Sequence, residues 1–160
     1  LALVRELAEY EREPDAVEAT EAMLHDALFG PRPAAEAVVA EADGAAAGFA
    51  LWFHNFSTWK GRRGLYLEDL YVRPAFRGRG VGRRLLEHLA RVAVERGCAR
   101  FEWSVLDWNA PAIGFYRALG AEPMDGWTVM RVSGPALAAL AAGVGARSGD
   151  GKEQGHFGQD

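Results

Sequence analysis

Residues 65–89 read LYLEDLYVRPAFRGRGVGRRLLEHL, and the fold turns on this stretch. Residues 65–72 form the most strand-like run in the chain, closed by Arg73 and Pro74. Three closely spaced glycines and a cluster of arginines follow. The next residues are amphipathic at helical spacing, with Leu85, Leu89, Val92 and Arg96 on one side, Leu86 and Ala93 adjoining, and a stop at Gly97. A glycine turn between strand and helix suits phosphate. Glycines let the backbone come close, amides at a helix N-terminus point at an anion, and arginines clamp the remaining oxygens.

The spacing then narrows which phosphate. A nucleoside triphosphate loop needs GxxxxGK followed by Ser or Thr, and nothing supplies it. Lys152, which follows a glycine, is itself followed by Glu153. A dinucleotide fingerprint needs GxGxxG, but Gly78, Gly80 and Gly82 are spaced GxGxG, and RPAFR separates them from the strand. What remains is Arg77-x-x-Gly80-x-Gly82.

The rest of the chain frames that turn. At 160 residues and 49% hydrophobic, it is long enough for one globular domain with a core. A net charge of −4 argues against general nucleic-acid binding. Charge is uneven, however: residues 1–43 are mostly acidic, while Arg73, Arg77, Arg79, Arg83 and Arg84 crowd one segment, which marks a local anion site. The single Cys98 excludes an internal disulfide and fits a reducing cytoplasm. It reads as an inert packed thiol. No apolar run is long enough for a bilayer, and no signal peptide is visible, so a soluble intracellular protein without a membrane partner is expected. The four histidines are scattered, and no metal-ligand spacing appears; no metal is expected.

Helical spacing covers residues 2–11, with Leu3, Leu7 and Tyr10 on one face. A second helix is expected from Pro14 to Leu28. Strands follow at 37–42 and 47–56, joined by the hairpin signal Asp43-Gly44. A basic loop at 57–64 carries Trp59. Beyond the glycine turn come a strand at 100–105, a helix at 111–119, a strand at 127–132 and a short helix at 135–142. The order predicts an α/β (α+β) domain around a mixed, mostly antiparallel sheet over residues 1–142. The glycine-rich stretch 143–160 is expected to be a disordered tail. The chain opens inside a helix, so an upstream strand is expected to be absent.

With these residues in place, the chain resembles the GNAT (GCN5-related) N-acetyltransferase superfamily. ELAEYE, FSTWKG, YLEDLYV, RGRGVG, GCARF, VLDWNAPAIGFYRALGA and Gly126-Trp127 resemble, in collinear order, its diamine branch of spermidine/spermine and thialysine N-acetyltransferases. The resemblance implies acetyl-CoA as co-substrate. Its pyrophosphate would sit on Arg77, Gly78, Gly80, Val81 and Gly82, with Arg79 and Arg83 nearby. Its pantetheine arm would pair along Leu70, Tyr71 and Val72, where the superfamily's sheet is splayed, with Asn109 and Tyr116 facing arm and thioester.

An alkyl ammonium of pKa about 10 must lose a proton before it attacks a thioester. Glu68 and Asp69 are adjacent in a strand, hence on opposite faces, and at most one points at the amine. Glu68 is taken as the general base, directly or through water, and Asp69 as its support or as the ligand of a distal ammonium. An amide near residues 70–72 would stabilise the oxyanion. Tyr116 occupies the family's general-acid position, although its spacing from Ile113 also suits plain packing. Trp59 and Trp127 resemble substrate-side positions, whereas Trp108 reads as packing. Phe56-Ser57-Thr58-Trp59 lacks the aspartate of polyamine acetylases and matches the Ser-Thr-Trp of the thialysine branch, favouring thialysine, lysine-like amino acids or small diamines. A homodimer follows from the resemblance, with the acidic Glu11 and Glu13 available to lend charge across it. Acetylation of a peptide amine, and a non-catalytic acyl-CoA-binding module, are the competing functions.

Overall fold

The computed structural model describes residues 1–143. It divides into two compact units, Leu1–Ile113 and the part from Gly114 on. The first holds a four-stranded sheet, β1 (Glu36–Ala42), β2 (Ala45–Ser57), β3 (Arg62–Val72) and β4 (Phe101–Trp103), in that spatial order. β1–β2 and β2–β3 are antiparallel, and β3–β4 is parallel. Helices α1 (Ala2–Tyr10), α2 (Glu21–Phe29) and α3 (Val81–Glu95) accompany the sheet; α4 (Ala110–Ala118) runs across the boundary, and α5 (Gly134–Ala141) lies beyond it.

The β1–β2 hairpin closes as its residues dictate. Asp43 and Gly44 both take positive φ, 54° and 75°, the pair of left-handed residues that matches the twist of the flanking strands. Cross-strand partners share a face of the sheet. On one face, Phe49 and its partner Tyr71 are buried against Leu7 of α1, with Leu3, Val4 and Leu51 around them. On the other, Ala50, Trp52, Leu65 and Leu67 are buried, and α3 covers them with Val81, Leu85, Leu86, Leu89 and Ala93. Leu65 and Leu89 are wholly enclosed, each burial stabilising the fold by about 1.5–3 kcal/mol. α3 ends at Gly97, which has φ 66°; Cys98 N–H donates to Ala93 O and Gly97 N–H to Val94 O, so the last carbonyls are satisfied. Cys98 is half-buried.

Arg73, one of the clustered arginines, is structural. Its guanidinium holds both carboxylate oxygens of Glu6 on α1 and donates to Ala46 O at 2.8 Å, tying helix to sheet. That ion pair holds the Glu6 carboxyl below its ordinary range.

Two expectations need correction. Pro14 begins only a single 3-10 turn, Pro14–Ala16; α2 starts at Glu21, where Thr20 caps it by accepting from Met23 N–H at 3.2 Å. The segment 127–132 is no strand. Trp127, Val129 and Met130 are largely exposed, and no described residue pairs with this segment in a ladder. Its alternation lacks the neighbour that would turn it into sheet. The 143–160 tail lies outside the described residues except for Gly143.

Candidate functional site

The site grows from an irregularity in β3. Leu67 lies opposite Trp52 and Asp69 lies opposite Leu51, so Glu68 has no partner: it is a β-bulge. Strict alternation would place Asp69 and Tyr71 in series with Leu65 and Leu67, beneath α3. The bulge instead puts Asp69 on the face of Leu51, Phe49 and Tyr71, beneath α1. The opposite-face rule for Glu68 and Asp69 therefore does not apply at this point of the strand.

Asp69 is thereby half-buried while Glu68 stays exposed. Burial, then the neighbouring charges of Glu68 and Glu11, push the Asp69 carboxyl up to about 6. The position of Glu11 follows from geometry. Leu7 packs with Tyr71; one helical turn beyond Leu7 is Glu11, and two strand residues before Tyr71, on the same face, is Asp69. Both steps are about 6 Å, which brings the two carboxylates towards each other. Burial also raises the Glu11 carboxyl. Sequence analysis offered Glu11 only as a charge across a dimer; its place one turn after Leu7 was the available signal.

Beyond the bulge the sheet opens. β3 pairs with β4 only from Leu65 to Leu67, so among the described residues positions 69–72 have a strand neighbour on the β2 side alone. Arg73 N–H donates to Ala47 O on β2, and alternate residues turn their polar groups the opposite way. Val72, and Leu70 two residues before it, therefore present N–H and C=O to the open edge. There Arg77 Nε donates to Val72 O at 2.8 Å.

At the end of that edge lies the glycine turn. Gly78 and Gly80 take φ 72° and 79°, which residues with a Cβ adopt at a cost, and Gly80 opens α3 without any side-chain cap. Among the described residues no side chain caps the first amides of α3, those of Val81, Gly82 and Arg83, which suits an anion. Arg79 meets Asp43 at 2.8 Å and Arg83 meets Glu87 at 2.8 Å, both exposed pairs that water screens, so a phosphate can take either guanidinium.

Arg77 turns inward. Its guanidinium lies 4.8 Å from the centre of the Tyr10 ring and 5.7 Å from that of Tyr71. Tyr10 O–H donates to Asn109 Oδ1 at 3.2 Å. Asn109 is buried and caps α4, accepting from Ala112 N–H at 3.3 Å. Its oxygen therefore aims a helix, a role sequence analysis did not weigh. Trp108, read as core packing, is 46% exposed, with the guanidinium of Arg12 4.7 Å above its ring.

The structure thus brings together Glu68, Asp69, the edge Leu70–Val72, the turn from Arg77 to Arg83, and Asn109. Trp59 is not among them. It is 77% exposed in the turn before β3, and Arg62 to Glu68 alone spans roughly 20 Å of strand. Tyr116, on α4, and Trp127, 73% exposed, belong to the second unit. Tyr116 is half-buried with its ring against Phe115.

The sequence matches the Acetyltransferase (GNAT) family over residues 2–121. It is 41% identical to a thialysine N-epsilon-acetyltransferase of Bos taurus across 88% of this chain and 89% of that protein. It is 33% identical to a spermidine/spermine N(1)-acetyltransferase-like protein of Homo sapiens across 82% of this chain and 20% of that one. Among solved structures, an integron cassette protein from the mobile metagenome of V. cholerae superposes with a TM-score of 0.74 at 29% identity, covering 88% of each chain.

Proposed function

Since the chain belongs to the acetyltransferase (GNAT) family, we propose that it moves the acetyl group of acetyl-CoA to the side-chain amine of a thialysine- or lysine-like amino acid, or of a small diamine. The observation that carries the amine is the set of carboxylates, Glu11, Glu68 and Asp69, gathered where β3 bulges and its edge opens. Burial, then the like charges of Glu68 and Glu11, make Asp69 costly to ionise alone, and a bound ammonium would relieve that cost. The uncapped, glycine-led N-terminus of α3 fits a pyrophosphate, and the edge groups of Leu70 and Val72 fit the amides of an extended arm.

The reaction follows. Glu68 takes a proton from the ammonium, directly or through water. The freed nitrogen attacks the thioester carbon, and the resulting oxyanion is met by an edge amide of residues 70–72. The carbon–sulfur bond breaks, and Tyr116, as the family position implies, gives the departing thiolate a proton. No step requires a metal. In a second reading Asp69 takes the proton, favoured by its rise to about 6, nearer the working pH of a general base. Trp59, remote from its own Glu68, would serve the amine site of a second copy in a homodimer, and Trp127 would line the acceptor side. A cytoplasmic setting accords with the lone, reduced Cys98.

The test is thiol release from acetyl-CoA with thialysine, lysine, putrescine, spermidine and a lysine peptide. Turnover is expected to be fastest on thialysine or lysine. CoA binding without turnover on any amine would leave only an acyl-CoA-binding module, and preference for the peptide would replace the small-molecule reading.

A further inference from the structure

One chain of contacts joins the glycine turn to the carboxylates and is not needed by either alone. Arg77 lies on the ring of Tyr10 at 4.8 Å; the Tyr10 ring is 6.1 Å from Trp108; and Trp108 lies 4.7 Å beneath the guanidinium of Arg12. Tyr10 and Arg12 flank Glu11 in sequence. This exit from α1 is not held by local preference. Arg12 takes φ 67°, a left-handed position that favours glycine, and the stack on Trp108 holds it there. Arg77, for its part, begins the glycine turn and touches the open edge through Val72 O.

We propose that Tyr10 is a positioning residue that couples the two substrates: acetyl-CoA fixes Arg77, Arg77 fixes the Tyr10 ring, and Tyr10 sets the turn that carries Glu11 towards Asp69. The inference rests on the acetyl-transfer reading above. Its physical content is a difference between two states. Arg77 is exposed and Tyr10 is 37% accessible, so the cation is kept where it lies by the ring contact and its bond to Val72 O. With pyrophosphate on the turn that Arg77 begins, the base of its side chain is fixed, and the cation stays on the ring. The amine then meets a carboxylate set already in place, and the coupling must be reciprocal.

The test is calorimetric titration of the amine turned over fastest, with and without saturating coenzyme A, which carries no acetyl group to transfer. For the parent protein, coenzyme A is expected to tighten amine binding by about tenfold, within the usual range of such couplings. Tyr10→Leu is expected to bind coenzyme A and the amine separately as the parent does but to keep less than about twofold of the enhancement. Tyr10→Phe, which retains the ring and loses the hydroxyl bond to Asn109, is expected to keep most of it. Tyr10→Gln repeats the test with a polar side chain should the leucine variant fold poorly. An enhancement that survives in Tyr10→Leu or Tyr10→Gln, or one absent from the parent, overturns the proposal. A parent that turns over no amine defeats the acetyl-transfer reading instead, so the two failures are distinct.

Discussion

Replacing Asp69 by asparagine separates what this residue does for stability from what it does for chemistry. In the folded chain its carboxyl is raised from the ordinary 3.8 to about 6, first by burial, then by the charges of Glu68 and Glu11. For an acid, a raised value means that the folded state binds the proton more tightly than the unfolded state. Stability therefore falls as pH climbs from about 4 to about 6, and above that the penalty is complete. A rise of this size corresponds to about 3 kcal/mol, and partial access to water reduces it to about 1–3 kcal/mol. Asparagine has nearly the same shape and no charge. Asp69→Asn is therefore expected to be more stable than the parent by about 1–3 kcal/mol at pH 7.5, with the gain fading to nothing near pH 4. Urea denaturation at a series of pH values reads this directly. Exposed Glu68 supplies the comparison, since Glu68→Gln removes only one of the charges acting on Asp69 and should gain less at pH 7.5 than Asp69→Asn. Equal stability of Asp69→Asn and parent at pH 7.5 would refute the reasoning, as would a gain that persists at pH 4. The same variant should lose amine turnover, because the unfavourable charge is the one an ammonium answers.

Tyr116→Phe is expected to lower turnover at least tenfold while leaving the Kd for acetyl-CoA within about twofold; unchanged turnover would remove the tyrosine from proton transfer. Gly80→Ala has open space for its Cβ but a φ of 79°, so it should cost about 1 kcal/mol in stability and weaken acetyl-CoA binding more than amine binding, by calorimetry. Leu89→Ala, beneath the sheet, should destabilise the fold by about 2–5 kcal/mol in urea titrations. If Asp69 rather than Glu68 takes the proton, the acid limb of kcat/KM will lie near pH 6 and persist in Glu68→Gln.

The glycine turn and β3 were legible because each rests on local chemistry: residues that tolerate left-handed φ, and apolar residues that favour an extended chain. The Asp43-Gly44 hairpin was legible for the same reason. The bulge at Glu68 was not, since it exists only in the register between β2 and β3, and no period within β3 announces it. The α2 boundary was missed although its signal was present: Thr20 three residues before Met23 is a cap, but Pro14 offered an earlier start. The strand expected at 127–132 fails differently. Its pattern suits a sheet, and pattern alone does not provide a neighbouring strand. Tyr10, Arg77, Trp108 and Asn109 come from three separate segments, so their stack is a product of packing, invisible to any window along the chain.

The bulge also tells architecture from chemistry. On both sides of Glu68 the β2–β3 ladder is in register as though the residue were not there, Leu67 with Trp52 and Asp69 with Leu51. Deleting Glu68 would close the ladder without turning any later side chain to the other face, whereas deleting Leu67 or Asp69 would not leave its neighbours so undisturbed. The strand can do without this residue. On the reading proposed above its presence answers to the reaction, and a shortened chain that folds but does not transfer acetyl groups would be the mark of a residue spliced into a finished frame.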